Sequence, residues 1–153
     1  MYSGSVPNPE LEKFRAQSRL FALLDEPGQL RLMAVAKTEV HAPGGVVVKQ
    51  GEAGDAFFIV SEGKLDVLVE EDRKSRTIAS LDRGAFFGEM AALLGETRSA
   101  TVKAATPVTL MRFEMPRVKD IIADYPTVRQ VLVRLALKRG EENLTEQMQH
   151  DFT

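Results

Sequence analysis

The segment of residues 87–101 contains the side chains of this chain that are best suited to bind a ligand. Gly88 has no side chain and lets the backbone approach a ligand closely. Residues 89–91 would form the first turn of a short apolar helix. Their N–H groups have no partner within such a helix, and a helix N-terminus of this kind attracts anions. Glu89 can accept hydrogen bonds from hydroxyl groups, and Arg98 offers a planar set of donors that matches phosphate oxygens. This combination predicts a site for a sugar phosphate.

The composition argues against several other kinds of site. The chain has 153 residues, a formal net charge of −2 and no cysteine, so we expect one domain with a real core and neither disulfides nor thiolate chemistry. No basic excess supports nucleic-acid binding, and no apolar run approaches the roughly 18 residues needed to cross a bilayer. The only histidines, His41 and His150, are far apart, so no metal site is expected. Without cysteines or a recognisable secretory signal, the expected location is cytoplasmic.

Helical patterns at both ends of the chain flank a series of short strands. Residues 11–24 are predicted to form a helix or a helix pair and residues 30–36 a second short helix, separated by the helix-breaking residues 25–28. Pro116 and Pro126 each begin a C-terminal helix, and Gly140 is a predicted weak point or end of the last one. The predicted strands, each bounded by turn signals, are 46–49, 56–61, 64–70, 76–81, 99–104 and 108–114. The predicted fold is therefore α+β, an antiparallel, jelly-roll-like β-roll with flanking helices.

The same pattern divides the chain into three parts. Residues 1–10 are expected to form a flexible leader, residues 11–140 the domain, and residues 141–153 a polar C-terminal tail or helix extension. The terminal helices are the expected contacts for an effector domain or for a second copy of the chain.

Two motifs resemble those of the cyclic nucleotide-binding domain family. Segment 87–101 is similar to the family's phosphate-binding cassette, and residues 51–63, with the pattern Gly-Glu-x-Gly-Asp-x-Phe-Phe-Ile-Val-x-x-Gly, are similar to the glycine-rich turn and strand that precede it. The glycines of this second motif are interpreted as turn residues with unusual backbone angles. The resemblance extends from about Leu20 to Arg139. The family members that the chain resembles include the cytoplasmic domains of bacterial cyclic-nucleotide-gated channels, kinase regulatory subunits and the sensor domains of catabolite activators.

The resemblance implies a role for several cassette residues. Glu89 would accept a hydrogen bond from the ribose 2′-hydroxyl, and the backbone of Gly88 would approach the same hydroxyl. Arg98 would pair with the cyclic phosphate, assisted by the N–H groups of Ala91 and Ser99. The singly charged phosphate suits one arginine and a few backbone donors.

The base of the nucleotide would lie against the β-roll and under a C-terminal lid helix. The resemblance assigns Val67, Ala79 and Leu81 to the apolar wall, and Arg139 to a contact from the lid. Ser99 keeps a hydroxyl group, which leaves both cyclic AMP, the preferred ligand, and cyclic GMP open. The predicted ligand-binding residues are Gly88, Glu89, Met90, Ala91, Arg98, Ser99, Ala100, Val67, Leu81 and Arg139.

Two functions remain open from the sequence. The first is a regulatory sensor that binds a cyclic nucleotide and signals by movement of its flanking helices. The alternative is a structural or protein-interaction domain of the same fold that binds no nucleotide. No nucleophile–base pair, metal cluster or paired carboxylates indicate an enzyme, and no cofactor is expected. The expected partner is a small-molecule cyclic nucleotide, with neither nucleic acid nor direct membrane insertion.

Overall fold

The computed structural model describes residues 16–151, with side chains as far as residue 138. The predicted leader, residues 1–10, and the side chain of Arg139 lie outside the described residues. The helices are α1 (Arg19–Leu23), α2 (Glu26–Ala34), α3 (Glu89–Leu94), α4 (Met115–Ile122) and α5 (Pro126–Asp151). The strands are β1 (Lys37–His41), β2 (Val46–Val48), β3 (Ala56–Glu62), β4 (Leu65–Glu71), β5 (Lys74–Leu81), β6 (Phe86–Phe87), β7 (Thr101–Ala104) and β8 (Val108–Glu114). No helix within residues 16–151 combines the length and the apolar character needed to cross a membrane.

The strands form two antiparallel four-stranded sheets. The first sheet has the order β1-β8-β3-β6 and the second has the order β2-β7-β4-β5. Strands β4 and β5 form a hairpin whose two turn residues, Asp72 and Arg73, have φ angles of 53° and 66°, as two-residue hairpin turns require. The predicted α+β fold, an antiparallel β-roll with flanking helices, is confirmed.

Strand β3 separates two hydrophobic cores. Phe57 faces the helices and stacks on Phe113 with ring centroids 4.8 Å apart. Phe58 faces the second sheet and stacks on Phe87 at 4.9 Å. Because successive side chains point to opposite faces of a strand, a strand that is buried on both sides is apolar at every position. The continuous apolar run at 56–60 therefore reflects the central place of β3.

Several elements differ from the prediction, among them the two-residue strand β6, which is not in the predicted set. Helix α2 begins at Glu26, earlier than expected, because the Asp25 carboxylate caps it by accepting from the N–H of Gly28 at 2.9 Å. Strand β1 was not predicted, since its largely polar residues become a strand only by pairing with β8. Helix α5 continues through Gly140 to Asp151. The prediction that Gly140 ends this helix is wrong, as a single helical glycine costs only about 1 kcal/mol.

Candidate functional site

A cavity of about 420 Å³ lies between segment 87–101 and the second sheet. This volume falls within the range of about 300–1,000 Å³ that is typical of small-molecule sites. The lining includes every predicted ligand-binding residue except Arg139, namely Gly88, Glu89, Met90, Ala91, Arg98, Ser99, Ala100, Val67 and Leu81. Their contact with a ligand remains a prediction.

The two sequence motifs are hydrogen-bonded to each other through their backbones. The N–H of Gly51 donates to the carbonyl of Arg98 at 2.8 Å, and the N–H of Arg98 donates to the carbonyl of Glu52 at 2.7 Å. An isolated antiparallel bridge between Ala53 and Thr97 extends this pairing. The glycine-rich turn therefore fixes the backbone from which the Arg98 side chain enters the cavity.

Gly54 lets the same turn pack directly against α3. A Cβ atom at this position would lie 2.8 Å from the carbonyl carbon of Ala91. Gly51 and Gly63 have φ angles of 87° and 95°, as predicted for turn glycines. Gly54 does not have such an angle. It is required by close packing instead, so its interpretation as a turn residue with an unusual backbone angle is wrong.

The Arg98 guanidinium is buried beside the cavity and bonds to neutral partners. Its Nη1 donates to the carbonyl of Gly88 at 3.0 Å and its Nη2 donates to the carbonyl of Ala56 at 2.6 Å. A carboxylate oxygen of Asp55 lies 3.9 Å from Nη2. Burial lowers the pKa of the Arg98 guanidinium from its ordinary value, and the charge of Asp55 counteracts this. Because the group carries five N–H donors, the two hydrogen bonds to carbonyls leave donors for a further partner.

Two features of the structure require a glycine at position 88, the backbone angle of this residue and the close approach of the Arg98 side chain. Its φ angle is 77°, and a Cβ atom there would lie 2.5 Å from the Nη1 atom of Arg98. The first hydrogen bond of α3 runs from the N–H of Ala92 to the Gly88 carbonyl at 3.1 Å. The N–H groups of residues 89–91 therefore have no partner inside the helix, and these residues line the cavity.

The Glu89 carboxylate is buried and accepts hydrogen bonds at both oxygens from the N-terminus of α1. The Ser18 hydroxyl donates to Oε2, and the N–H of Arg19 donates to Oε1 at 3.0 Å. Burial raises the pKa of Glu89, and the hydrogen bonds from Ser18 and Arg19 act in the opposite direction. The sequence analysis placed Glu89 in the site but did not foresee these partners.

One wall of the cavity is apolar and comes from the second sheet. Val67 and Leu81 lie on it as predicted, and Val48 and Val102 complete it. Val102 is the pairing partner of both Val48 and Val67. The sequence analysis missed Val48 and Val102, since strand pairing decides which valines share a face. Ala79 is exposed and is not part of the lining.

Polar residues outside the predicted set also reach the cavity. Gln17 and Arg19 approach from the N-terminal side, and Glu96 and Thr97 precede Arg98. A serine before an apolar run, as at Ser18, is a helix-start signal. It predicts where α1 begins, but it does not predict that this helix start lies next to the cavity. No α5 side chain within residues 126–138 lines the cavity, so the lid contact of Arg139 stays a prediction. Among the described residues no cluster of three His, Asp or Glu side chains is suited to hold a metal ion.

Comparison with known proteins identifies the family. The sequence pattern of the cyclic nucleotide-binding domain matches residues 38–125. A cGMP-dependent protein kinase of Caenorhabditis briggsae is 30% identical over 83% of this chain and 17% of its own length. A cyclic nucleotide-gated potassium channel of Mesorhizobium japonicum is 32% identical over 78% of this chain and 32% of its own length. The solved N-terminal domain of a transcriptional regulator from Streptomyces coelicolor is 25% identical, with a TM-score of 0.67 over 86% of this chain and 94% of that domain. This chain therefore spans a third or less of the two curated relatives, and it belongs to the cyclic nucleotide-binding domain family.

Proposed function

We propose that this chain is a sensor that binds cyclic AMP, with cyclic GMP as the alternative ligand. The observation that carries the proposal is the buried Arg98 guanidinium, whose hydrogen-bond partners are two neutral carbonyls and which lines a cavity of nucleotide-binding size. A cyclic phosphate has a single negative charge, which one guanidinium and the N–H groups of residues 89–91 would balance. A doubly charged phosphate monoester would exceed that balance.

The remaining lining supports a pose for the rest of the nucleotide. The ribose 2′-hydroxyl would donate to Glu89, and the base would lie on the apolar wall around Val67 and Leu81. Ser99 is exposed and lines the cavity, so its hydroxyl is available to a polar edge of either purine. The kinase relative is named for cyclic GMP and the channel relative for no particular nucleotide, which is why both ligands belong in the test.

The proposed signal passes from α3 to α5. Helix α3 begins at the cassette, and its residues Leu93 and Leu94 lie with Leu132 of α5 around a second cavity of about 420 Å³. We propose that a bound nucleotide shifts α3 and draws α5, including Arg139, toward the base. Such a ligand acts only through its better binding to the closed arrangement.

We also propose that the chain is divided into the leader, domain and C-terminal tail given above, and that it is located in the cytoplasm. We propose that it acts through its terminal helices on an effector domain or on a second copy of the chain. The proposed module binds its nucleotide without hydrolysing it.

The test is calorimetric titration of the wild-type chain with cyclic AMP, cyclic GMP and 5′-AMP. We expect cyclic AMP to bind, 5′-AMP to bind weakly, and recovered cyclic AMP to be unchanged after long incubation; the cyclic GMP titration shows whether the chain also accepts the other base. No heat of binding and no thermal shift with either cyclic nucleotide at millimolar concentration would refute the proposal.

The alternative function, a domain of this fold without a nucleotide, has one supporting observation. Glu89 and Arg98 both have partners within the protein, so each contributes to the fold irrespective of a ligand. The two functions differ in the thermal shift, because a purely structural domain would melt at the same temperature with and without nucleotide.

A further inference from the structure

The N-terminus of α1 holds the Glu89 carboxylate at the edge of the cavity. Ser18 is the N-cap residue of α1 and is only 1% exposed, and Glu89 is 9% exposed. The two residues are 71 positions apart in the sequence. The contact therefore joins the N-terminal helices directly to the cassette.

The hydrogen bonds around Ser18 give its hydroxyl a fixed direction. The Ser18 oxygen accepts from the N–H of Phe21 at 3.2 Å, as an N-cap side chain does. A serine hydroxyl has one proton, and here that proton is directed to Glu89. In a capping box the carboxylate would come from the third helical position, but that position is Phe21. Glu89 supplies the carboxylate instead.

These donors keep Glu89 suited to accept further hydrogen bonds. Burial favours the protonated carboxyl group, whereas the hydrogen bonds from Ser18 and from the N–H of Arg19 favour the carboxylate. A carboxylate has about four lone-pair positions. The Ser18 hydroxyl and the N–H groups of Arg19 and Leu20 act on it from α1, which leaves room for one more donor. The Glu89 side chain is thereby held in one orientation.

We propose that Ser18, together with the first turn of α1, is a positioning residue that orients Glu89 toward the ribose 2′-hydroxyl. This inference rests on the proposed function, because it takes Glu89 as the acceptor of that hydroxyl. Gln17 and Arg19 line the same cavity, which places the helix start next to the ribose position. The N-terminal helices then sense the ribose through Glu89, independently of any movement of α5.

The test compares cyclic AMP with 2′-deoxy-cyclic AMP by calorimetry in the wild-type chain and in Ser18→Ala. We expect the wild type to prefer cyclic AMP. Ser18→Ala should bind cyclic AMP about fivefold more weakly, which corresponds to one hydrogen bond, and 2′-deoxy-cyclic AMP with unchanged affinity. Ser18→Gly, which costs a helix start only a few tenths of a kcal/mol relative to serine, should give the same pattern if Ser18→Ala proves unstable. Ser18→Thr, which keeps the hydroxyl, should restore the preference.

The matched control is Asp25→Ala. It removes the N-cap of the neighbouring helix α2, a carboxylate that accepts from the N–H of Gly28 and from the Tyr125 hydroxyl. It should lower the melting temperature without changing the ratio of the two affinities. A wild type that binds the two nucleotides equally would overturn the assignment of Glu89 to the ribose, and the inference with it. The inference alone would be overturned if the wild type prefers cyclic AMP over 2′-deoxy-cyclic AMP and both Ser18→Ala and Ser18→Gly keep the same preference. It would also be overturned if these variants bind cyclic AMP more tightly than the wild type does.

Discussion

Replacing Arg98 by alanine should abolish most nucleotide binding while leaving the fold intact. The substitution removes two hydrogen bonds to carbonyls. The Gly88 carbonyl keeps the N–H of Ala92 as a partner, so the loss falls mainly on the Ala56 carbonyl. One unsatisfied buried carbonyl costs about 1–3 kcal/mol, whereas domains are stable by about 5–15 kcal/mol. The variant should therefore fold with a lower melting temperature.

The loss of affinity should be much larger than the loss of stability. Two charge-assisted hydrogen bonds from Arg98 to the phosphate would contribute about 3–6 kcal/mol. This corresponds to an increase in Kd by about two to four powers of ten. Arg98→Lys keeps the charge but not the two-pronged geometry, so its loss should be intermediate.

The assay is calorimetric titration with cyclic AMP, after thermal melting and circular dichroism have shown that each variant is folded. Arg112→Ala is the matched control. Arg112 forms ion pairs with Glu39 at 3.3 Å and with Asp55 at 3.7 Å but does not line the cavity. Its removal should change stability and leave Kd nearly unchanged. A folded Arg98→Ala variant whose Kd stays within about tenfold of the wild type would refute the assignment of Arg98 to the phosphate.

Three further predictions concern other parts of the site. Because burial raises the pKa of Glu89, acidification from neutral pH should protonate it early and weaken cyclic AMP binding, whereas Glu89→Gln should bind weakly with a flat pH profile. The folded state holds the Glu89 proton more tightly than the unfolded state does. The free energy of urea unfolding of the wild type, compared with that of Glu89→Gln, should therefore fall as the pH rises. The fall should begin near the ordinary carboxyl pKa and end above the raised pKa of the folded state. Gly54→Ala should destabilise the chain by about 1–3 kcal/mol through the clash with Ala91. In the same melting assay the control Gly84→Ala meets no atom within 4 Å and should show only the smaller cost of its positive φ; equal losses would contradict the packing argument. Leu81→Ala should weaken binding of both cyclic nucleotides by similar factors in titration, since it shortens the apolar wall, and a selective loss of one would contradict this role.

The location of the site could be predicted from sequence because its residues are close together in the chain. Glu89 and Arg98 lie within one short segment, and the family pattern fixes their order relative to the turn at 51–54. The apolar run of β3 is likewise a local signal, and the strand predicted at 56–61 is confirmed. Local patterns of this kind need no knowledge of which strands pair.

The parts that could not be predicted depend on contacts between distant segments. Val48 and Val102 become one wall of the cavity only through the pairing of β2 with β7. Strand β1 exists because β8 offers it a free edge. The partner of Glu89 lies 71 positions away, and a serine before an apolar run indicates a helix start wherever it occurs. The requirement for glycine at Gly54 arises from its distance to α3, which no property of the turn itself reveals.

The internal partners of Arg98 and Glu89 bear directly on how tightly a nucleotide could bind. Among the described residues that are not exposed, no buried side-chain nitrogen or oxygen atom is without a hydrogen-bond partner. The cost of burying the guanidinium and the carboxylate is therefore already offset within the fold, and a ligand that adds hydrogen bonds to groups held in place gains nearly their full strength. If the nucleotide instead displaced the carbonyls from Arg98 or Ser18 from Glu89, the gain would be only the difference between two sets of bonds. The size of the Arg98→Ala effect distinguishes addition from exchange, because exchange gives a smaller increase in Kd than addition does.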